Sequence, residues 1–292
     1  MIYTVRHLTR YRYGRPVGGA RCVLRLRPRD GAGQELIASE IDVSPAPASR
    51  TERPDFFGLP AVHLTIDRPH EELAVEARSR VVVTRAAPDR ARSSPPWEEV
   101  RDAAWRTASF RAGSPVHFLH PTRRVPLLPE VTAYARASFT PRRPLAEAAF
   151  DLLDRMGGDF TFDSRATGVG TPLARSFALR RGVCQDFAHI AVAALRGLGL
   201  PAAYVSGYLR TIPPPGSVRL RGADASHAWV SVWDGRDWFG LDPTNGIGVG
   251  PDHIELGTGR DYSDVSPVDG VVLSSGSQRL HVEVDVIPDG EA

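Results

Sequence analysis

The sequence predicts an α+β protein whose main body follows a small β-sandwich. Three observations carry this prediction. Residues up to about Arg85 alternate apolar and polar side chains between Pro, Gly and Asp turns. From Trp97 to Leu198 apolar residues recur at helical spacing, and beyond Leu198 the alternation returns. Helices grouped ahead of antiparallel strands indicate α+β, because a wound parallel sheet would interleave the two. The expected division is a β-sandwich-like domain over 1–85, a linker and helical connection over 86–115, and the core over 116–292.

Each element has its own local signal. In "RCVLRLRPRD" Cys22, Leu24 and Leu26 fall on one side of a strand, with Arg21, Arg25 and Arg27 on the other. "ELIASEIDVSPAP", "FFGLPAVHLTI" and "LAVEARSRVVVT" read as further strands of a small sandwich. "RAAPDRARSSPPWEE", rich in Pro, Ser and Arg, reads as a linker. "PWEEVRDAAWRTA", "LPEVTAYARASF" and "PLAEAAFDLLDRMGG" are helices that start near Pro, with Glu in the first turn. From Cys184 onward, Phe187, Ala188, Ala191, Ala194, Leu195 and Leu198 keep helical spacing until Gly197, Gly199 and Pro201 close the segment. "AAYVSGYLR", "HAWVSVWDGRDWFGLDP" and "LHVEVDVIP" are the closing strands.

Composition narrows the function. The 292 residues are 42% hydrophobic and 24% charged, which suffices for a sizeable core. The net charge is +2 and the arginines are interspersed with Asp and Glu, so no basic face for nucleic acid is expected. The sequence contains no lysine, which excludes a P-loop lysine and a Schiff-base lysine. "MIYTVRHLTRYRYG" has charges and aromatics where a signal peptide needs an apolar stretch, and no run is apolar enough to span a bilayer. A cytoplasmic protein with no membrane partner is the expectation. The two cysteines, Cys22 and Cys184, are remote in sequence and are not expected to pair.

Cys184 lies at the start of its helix, where free backbone N–H groups and the helix dipole favour a thiolate. Those same N–H groups suit a developing oxyanion. Gly182 would permit close approach by a substrate. A cysteine so placed needs a base and an orienting group, and "SHAWVSVWDGRDWFGLDPTNG" offers both. Asp234-Gly235 is a two-residue hairpin signal. Counting outward from Trp233 facing Arg236 sets His227 opposite Asp242. A carboxylate there would take the Nδ1–H bond and leave Nε2 for the thiol. On this count Trp229, Ser231, Trp233 and Trp238 share the face of His227, while Ala228, Val230, Val232, Phe239 and Leu241 face the core. "TIPPPGSVRLRGADA" precedes His227 and either borders the cleft or decorates the surface. Cys184, His189, His227 and Asp242 are metal-ligand types, but their spacing matches no metal motif, so neither a metal nor a cofactor is expected.

At these residues the chain resembles the transglutaminase-like superfamily, in its bacterial branch. "GVCQDFAHIAVAALRGLGLPAAYVSGYL" resembles the family's nucleophile helix and the strand after it, and "DASHAWVSVWDGRDWFGLDPTNG" its histidine and aspartate blocks. "YTVRHLTRYRYGRPV", "RLRPRD" and "SPAPASRTERPDFFG" resemble the branch's N-terminal β-region, and "GRDYSDVSPVDGVV" its C-terminal segment. The resemblance implies a papain-like core with the nucleophile helix packed on an antiparallel sheet. It implies Cys184 as nucleophile, His227 as base and then acid, and Asp242 as the orienting carboxylate. The implied reaction is acyl transfer or hydrolysis at an amide through a thioester. The substrate would be a peptide or protein, with water or an amine as acceptor. Gln185, Trp229 and Trp238 are the candidate oxyanion or substrate contacts. The competing expectation is a non-catalytic protein-interaction module built on the same scaffold.

Overall fold

The computed structural model describes residues 1–31, 33–211, 225–273 and 276–290, so most of the segment preceding His227 lies outside the described residues. Six strands come first: β1 (Ile2–Val17), β2 (Ala20–Leu24), β3 (Gln34–Ser44), β4 (Ser49–Pro54), β5 (Pro60–Ile66) and β6 (His70–Val83). Alternation produces them as expected. Along β6 Leu73, Val75, Ala77, Val81 and Val83 are buried while Glu71, Arg78 and Arg80 are exposed. Helices α1 (Trp97–Trp105), α2 (Pro129–Arg136) and α3 (Leu145–Asp159) follow, then β7 (Thr161–Phe162), α4 (Leu173–Leu179) and β8 (Arg181–Gly182). Next come α5 (Cys184–Gly197), β9 (Ala202–Leu209), β10 (Ala225–Trp233), β11 (Trp238–Asp242), β12 (Ile247–Gly248) and β13 (His253–Gly259). The short α6 (Tyr262–Val265), β14 (Val268–Val272) and β15 (Gln278–Pro288) complete the chain's elements.

Two four-stranded antiparallel sheets, ordered β15–β1–β6–β3 and β14–β2–β5–β4, enclose Cys22, Leu24, Leu64, Leu73 and Val75. The N-terminal β-unit therefore does not end near residue 85. β15 runs along β1 from Tyr3↔Pro288 to Tyr13↔Gln278, and β14 along β2, so residues assigned to the core on sequence alone finish the sandwich. Without them β1 and β2 would present open edges, which sheets avoid.

The core sheet is antiparallel and ordered β12–β11–β10–β9–β13. Helix α5 is the centre of this half. All residues from Gln185 to Arg196 are buried, as in a helix that is covered on every side. Its Phe187, Ala191, Ala194 and Leu195 join Ala228, Val230, Val232 and Leu241 of the sheet in one core with α2 and α3. On the sheet's far edge Tyr208, Ile254 and Leu256 meet Tyr3, Val5, Val81 and Val286, which fastens the β-unit to the core. This is the α+β arrangement of a helix on an antiparallel sheet with a β-rich N-terminal region. Among the described residues no helix is long and apolar enough to cross a membrane.

The last turn of α5 carries a buried arginine. Arg196 donates from Nε to Phe118 O at 2.9 Å and Ala202 O at 3.0 Å, from Nη1 to His120 O at 3.0 Å, and from Nη2 to Arg260 O at 2.8 Å. One guanidinium thus satisfies backbone from three segments at the end of the central helix, which its fork of donors suits. Burial pushes its pKa down, to about 10, and leaves it charged at neutral pH. Arg196→Met strands these carbonyls and is expected to lower unfolding free energy by about 3 kcal/mol in urea titrations, whereas a loss below about 1 kcal/mol would remove the arginine's structural role.

Candidate active site

Cys184 occupies the first position of α5, behind Val183 as N-cap. The helix start is set by a carboxylate three residues on. Buried Asp186 accepts from Val183 N–H at 2.9 Å, Thr167 Oγ1 at 2.6 Å and Ser176 Oγ at 2.6 Å. It satisfies one of the orphan groups at the helix start and places negative charge at the positive end of the dipole. A Cβ on Gly182 would stand 2.5 Å from Asp186 Oδ2. Gly182, two residues before Cys184, therefore makes room for this carboxylate.

The hairpin that carries His227 has a different register from the one counted on Asp234-Gly235. The observed pairs are Trp233↔Trp238, Val232↔Phe239, Ser231↔Gly240 and Val230↔Leu241. The two-residue loop is Gly235–Arg236. Asp234 closes it by accepting from Arg236 N–H at 3.0 Å and Asp237 N–H at 2.9 Å, and Gly235 has φ 102°. Glycine supplies the positive φ at the first loop position, so the turn centre moves one residue along. Every pairing then shifts by two, which preserves the faces. His227 and Asp242 remain on one face but sit diagonally rather than directly opposite. Trp233, the last residue of β10, joins the main core instead of the His227 wall.

The structure brings Cys184, His227 and Asp242 together. His227 Nε2 lies 2.7 Å from Asp242 Oδ2, and the Cys184 side chain is close enough to the imidazole to interact with it electrostatically. The ring is turned the other way from the expectation: Nε2, not Nδ1, faces the carboxylate. Cys184 Sγ also lies 4.0 Å from Ser226 O, and the residue is half-buried. Asp242 is 0% exposed, and the "DPTNG" turn wraps its carboxylate. Oδ1 accepts from Thr244 N–H at 3.0 Å and Asn245 N–H at 3.2 Å, while Asn245 Nδ2 reaches Oδ2 at 2.7 Å. A second histidine, His253 at the head of β13, places Nε2 3.1 Å from the same Oδ2.

Burial disfavours charge on His227, but its bond to Asp242 and the nearby Cys184 more than offset this and raise its pKa to about 10. Burial likewise opposes charge on Asp242, yet bonds from His227, His253 and Asn245 hold it well below the usual carboxylate range.

His253 and Asn245 were not identified from the sequence. Asn245 belongs to a turn signal, but that signal does not say that its amide folds back onto the aspartate. His253 reaches the site because β13 pairs with β9 rather than with its sequence neighbour β12. His227, Asp242 and His253 present possible ligand atoms within 4.8 Å of one another. They do not fit a cation. His253 Nδ1 accepts Gly250 N–H at 3.2 Å, so Nε2 carries the ring's hydrogen and has no lone pair to offer.

The remaining expected contacts are dispersed. Gln185 donates its amide to Val169 O at 3.2 Å. Trp229 is buried between two histidines, with ring centroids 6.2 Å from His227 and 5.3 Å from His253. Trp238 stands edge-on to Phe118 at 5.2 Å. Both tryptophans line a cleft of about 520 Å³ between the core sheet and the β-unit, with Phe57, Arg85 and Ser231. Among the described lining residues are neither Cys184 nor His227, so Trp229 forms a wall between this cleft and the imidazole.

Residues 3–82 match the bacterial transglutaminase-like N-terminal region, and residues 132–243 match the transglutaminase-like superfamily. An uncharacterised protein of Mycobacterium tuberculosis is 39% identical over 99% of this chain and 94% of its own length. The chain belongs to the transglutaminase-like superfamily. A second uncharacterised relative, from Mycobacterium leprae, is 32% identical over 96% of each chain. A crystal structure from Cytophaga hutchinsonii, described as a candidate cysteine protease, superposes with a TM-score of 0.76 at 18% identity. It covers 99% of this chain and 91% of its own, and it shows that the transglutaminase-like core and the β-unit share one fold with that protein. The superfamily match ends at residue 243, before Asn245 and His253.

The shifted His227 pKa has a consequence for stability. Cys184→Ala removes the thiol's own proton from the balance. With the folded pKa of His227 raised by Asp242, the folded state then binds a proton that the unfolded state has released above about pH 6.5. The stabilisation is complete below that pH and is lost as pH rises through the folded value. Urea midpoints of Cys184→Ala are expected to fall with rising pH across this window, and those of Cys184→Ala/His227→Gln to fall less. Parallel curves would contradict the raised pKa.

Proposed function

We propose that this chain is a cysteine-dependent enzyme that transfers or hydrolyses the acyl group of an amide through a thioester. The observation that carries the reading is a half-buried thiol at a helix start, beside an imidazole whose Nε2 is held by a fully buried carboxylate. Those three roles are what an activated thiol requires. His227 Nδ1 takes the thiol proton, and Cys184 Sγ bonds to the carbonyl carbon. The Cys184 N–H, at the first helical position, has no intrahelical acceptor and is the first donor available to the oxyanion. Collapse of the tetrahedral adduct breaks the C–N bond as His227 returns its proton to the leaving amine. Water or a second amine then attacks the thioester, with His227 again moving the proton. Asp242 keeps the ring oriented and its cationic form stable throughout.

The substrate in this reading is a peptide or protein, through a peptide bond or a glutamine side chain. Trp229 and Trp238 line a cleft on the other side of Trp229 from the imidazole, so in this reading Trp229 shapes the imidazole's surroundings and neither tryptophan meets the scissile carbonyl from that cleft. Gln185 serves as a second oxyanion donor only after its amide leaves Val169.

Iodoacetamide labelling of Cys184, followed by mass spectrometry from pH 4 to 9, tests the thiol–imidazole pair. Labelling is expected to be lost or strongly slowed in His227→Ala across that range. Release of amine from glutamine peptides, or incorporation of a fluorescent amine into them, is expected to fall by about 10³-fold or more in Cys184→Ala. Full retention of activity there, or labelling indifferent to His227, would sink the reading and favour the interaction module. With no lysine in the sequence, incubation of the enzyme alone is expected to give no Gln–Lys-linked self-polymer on denaturing gels.

A further inference from the structure

The carboxylate of Asp242 serves two histidines, and only one of them, His227, interacts electrostatically with Cys184. His253 is buried, and its two ring nitrogens are both committed. Nδ1 accepts Gly250 N–H at 3.2 Å and Nε2 meets Asp242 Oδ2 at 3.1 Å. An imidazole that accepts at one nitrogen carries its hydrogen on the other, so His253 is a neutral Nε2–H donor. Protonating Nδ1 would set two hydrogens against each other at Gly250. The ring is held from outside as well. Arg85 Nη1 donates to His253 O at 3.2 Å, Gln34 exchanges two hydrogen bonds with the backbone of Glu255, and Trp229 lies edge-on to the ring.

From this geometry, and resting on the cysteine chemistry proposed above, we infer that His253 is a positioning residue. It is a fixed neutral donor that shares Asp242 Oδ2 with His227 and limits the carboxylate's hold on the imidazolium proton. A carboxylate that satisfies one partner alone binds its proton most tightly, and an imidazolium held too tightly is a poor acid toward a leaving amine. A second donor on the same oxygen draws off part of that charge while keeping the carboxylate ionised and in place. Bonds from His253 and Asn245 do lower the basicity of Asp242. The charged and titratable groups on the packed elements include Cys184 of α5, Tyr204 and Tyr208 of β9, Arg85 after β6, Asp252 paired with Arg210, and Glu255 of β13, the last paired with Arg29 and Arg85.

The test uses the full chain with ¹⁵N-labelled histidine, with assignment by single substitution. In the unmodified protein His253 is expected to carry its hydrogen on Nε2 and none on Nδ1. In His253→Met, which has no donor, His227 is expected to lose its imidazolium proton about one pH unit higher, with turnover reduced about tenfold. His253→Gln can accept Gly250 N–H and donate to Asp242, so both quantities are expected to stay near those of the unmodified protein. A His227 titration unmoved in His253→Met, or moved equally in His253→Gln, overturns the inference. So does a hydrogen on His253 Nδ1, a measurement that needs no variant to fold. If Cys184→Ala keeps its turnover, the cysteine reading fails and this inference fails with it. If Cys184 is essential and only the His253 results disagree, the cysteine reading stands alone.

Discussion

A carboxylate with no solvent contact must find every one of its partners in the protein, and Asp242 organises the core on that condition. Its five donors come from three places in the chain: His227 on β10, the turn after β11, and His253 on β13. β10 and β13 both pair with β9, so the imidazoles arrive from strands that flank a common neighbour. Satisfying the charge therefore fixes the spacing of the sheet, the shape of the "DPTNG" turn and the tilt of the His227 ring together. The thiol lies outside this network and meets only its outer member.

Helix α5 is fastened by buried charge at each end. Asp186 ties the first turn to Thr167 and Ser176, and Arg196 ties the last to backbone before α2 and after β13. Between them the helix is almost wholly apolar, with alanines where the sheet comes close. Apolar packing alone tolerates sliding and rotation more readily than directional bonds do. The two charged ends remove that freedom, which matters for a residue whose sulfur must meet one imidazole nitrogen. The β-unit adds to the same result from the other side, because Gln34 and Arg85 hold β13 and with it His253.

Much of this was legible in the sequence, for local reasons. The helical spacing after Cys184, the alternation around Asp234-Gly235 and the burial of Cys22 beside Leu24 are all patterns within a few residues of one another. His227 and Asp242 were found because a hairpin relates them, and the relation survived a wrong turn centre because a shift of two leaves the faces unchanged. What was missed is non-local. Nothing near His253 records that β13 pairs with β9, and nothing in "LHVEVDVIP" records that its partner is β1. Gly182 is likewise required by a contact made only in the folded chain, since a Cβ there would meet the Asp186 carboxylate.

The pairing of β1 with β15 also sets an order of events. β1 gains its second neighbour only after residues 278–288 have left the ribosome, so through most of synthesis one edge of the first sheet has nothing to bond with. The same holds for β2, which waits for residues 268–272. Contacts this distant in sequence close late, after the intervening helices and the core sheet have had time to form. The sandwich that comes first in the chain is thus among the last parts to be finished.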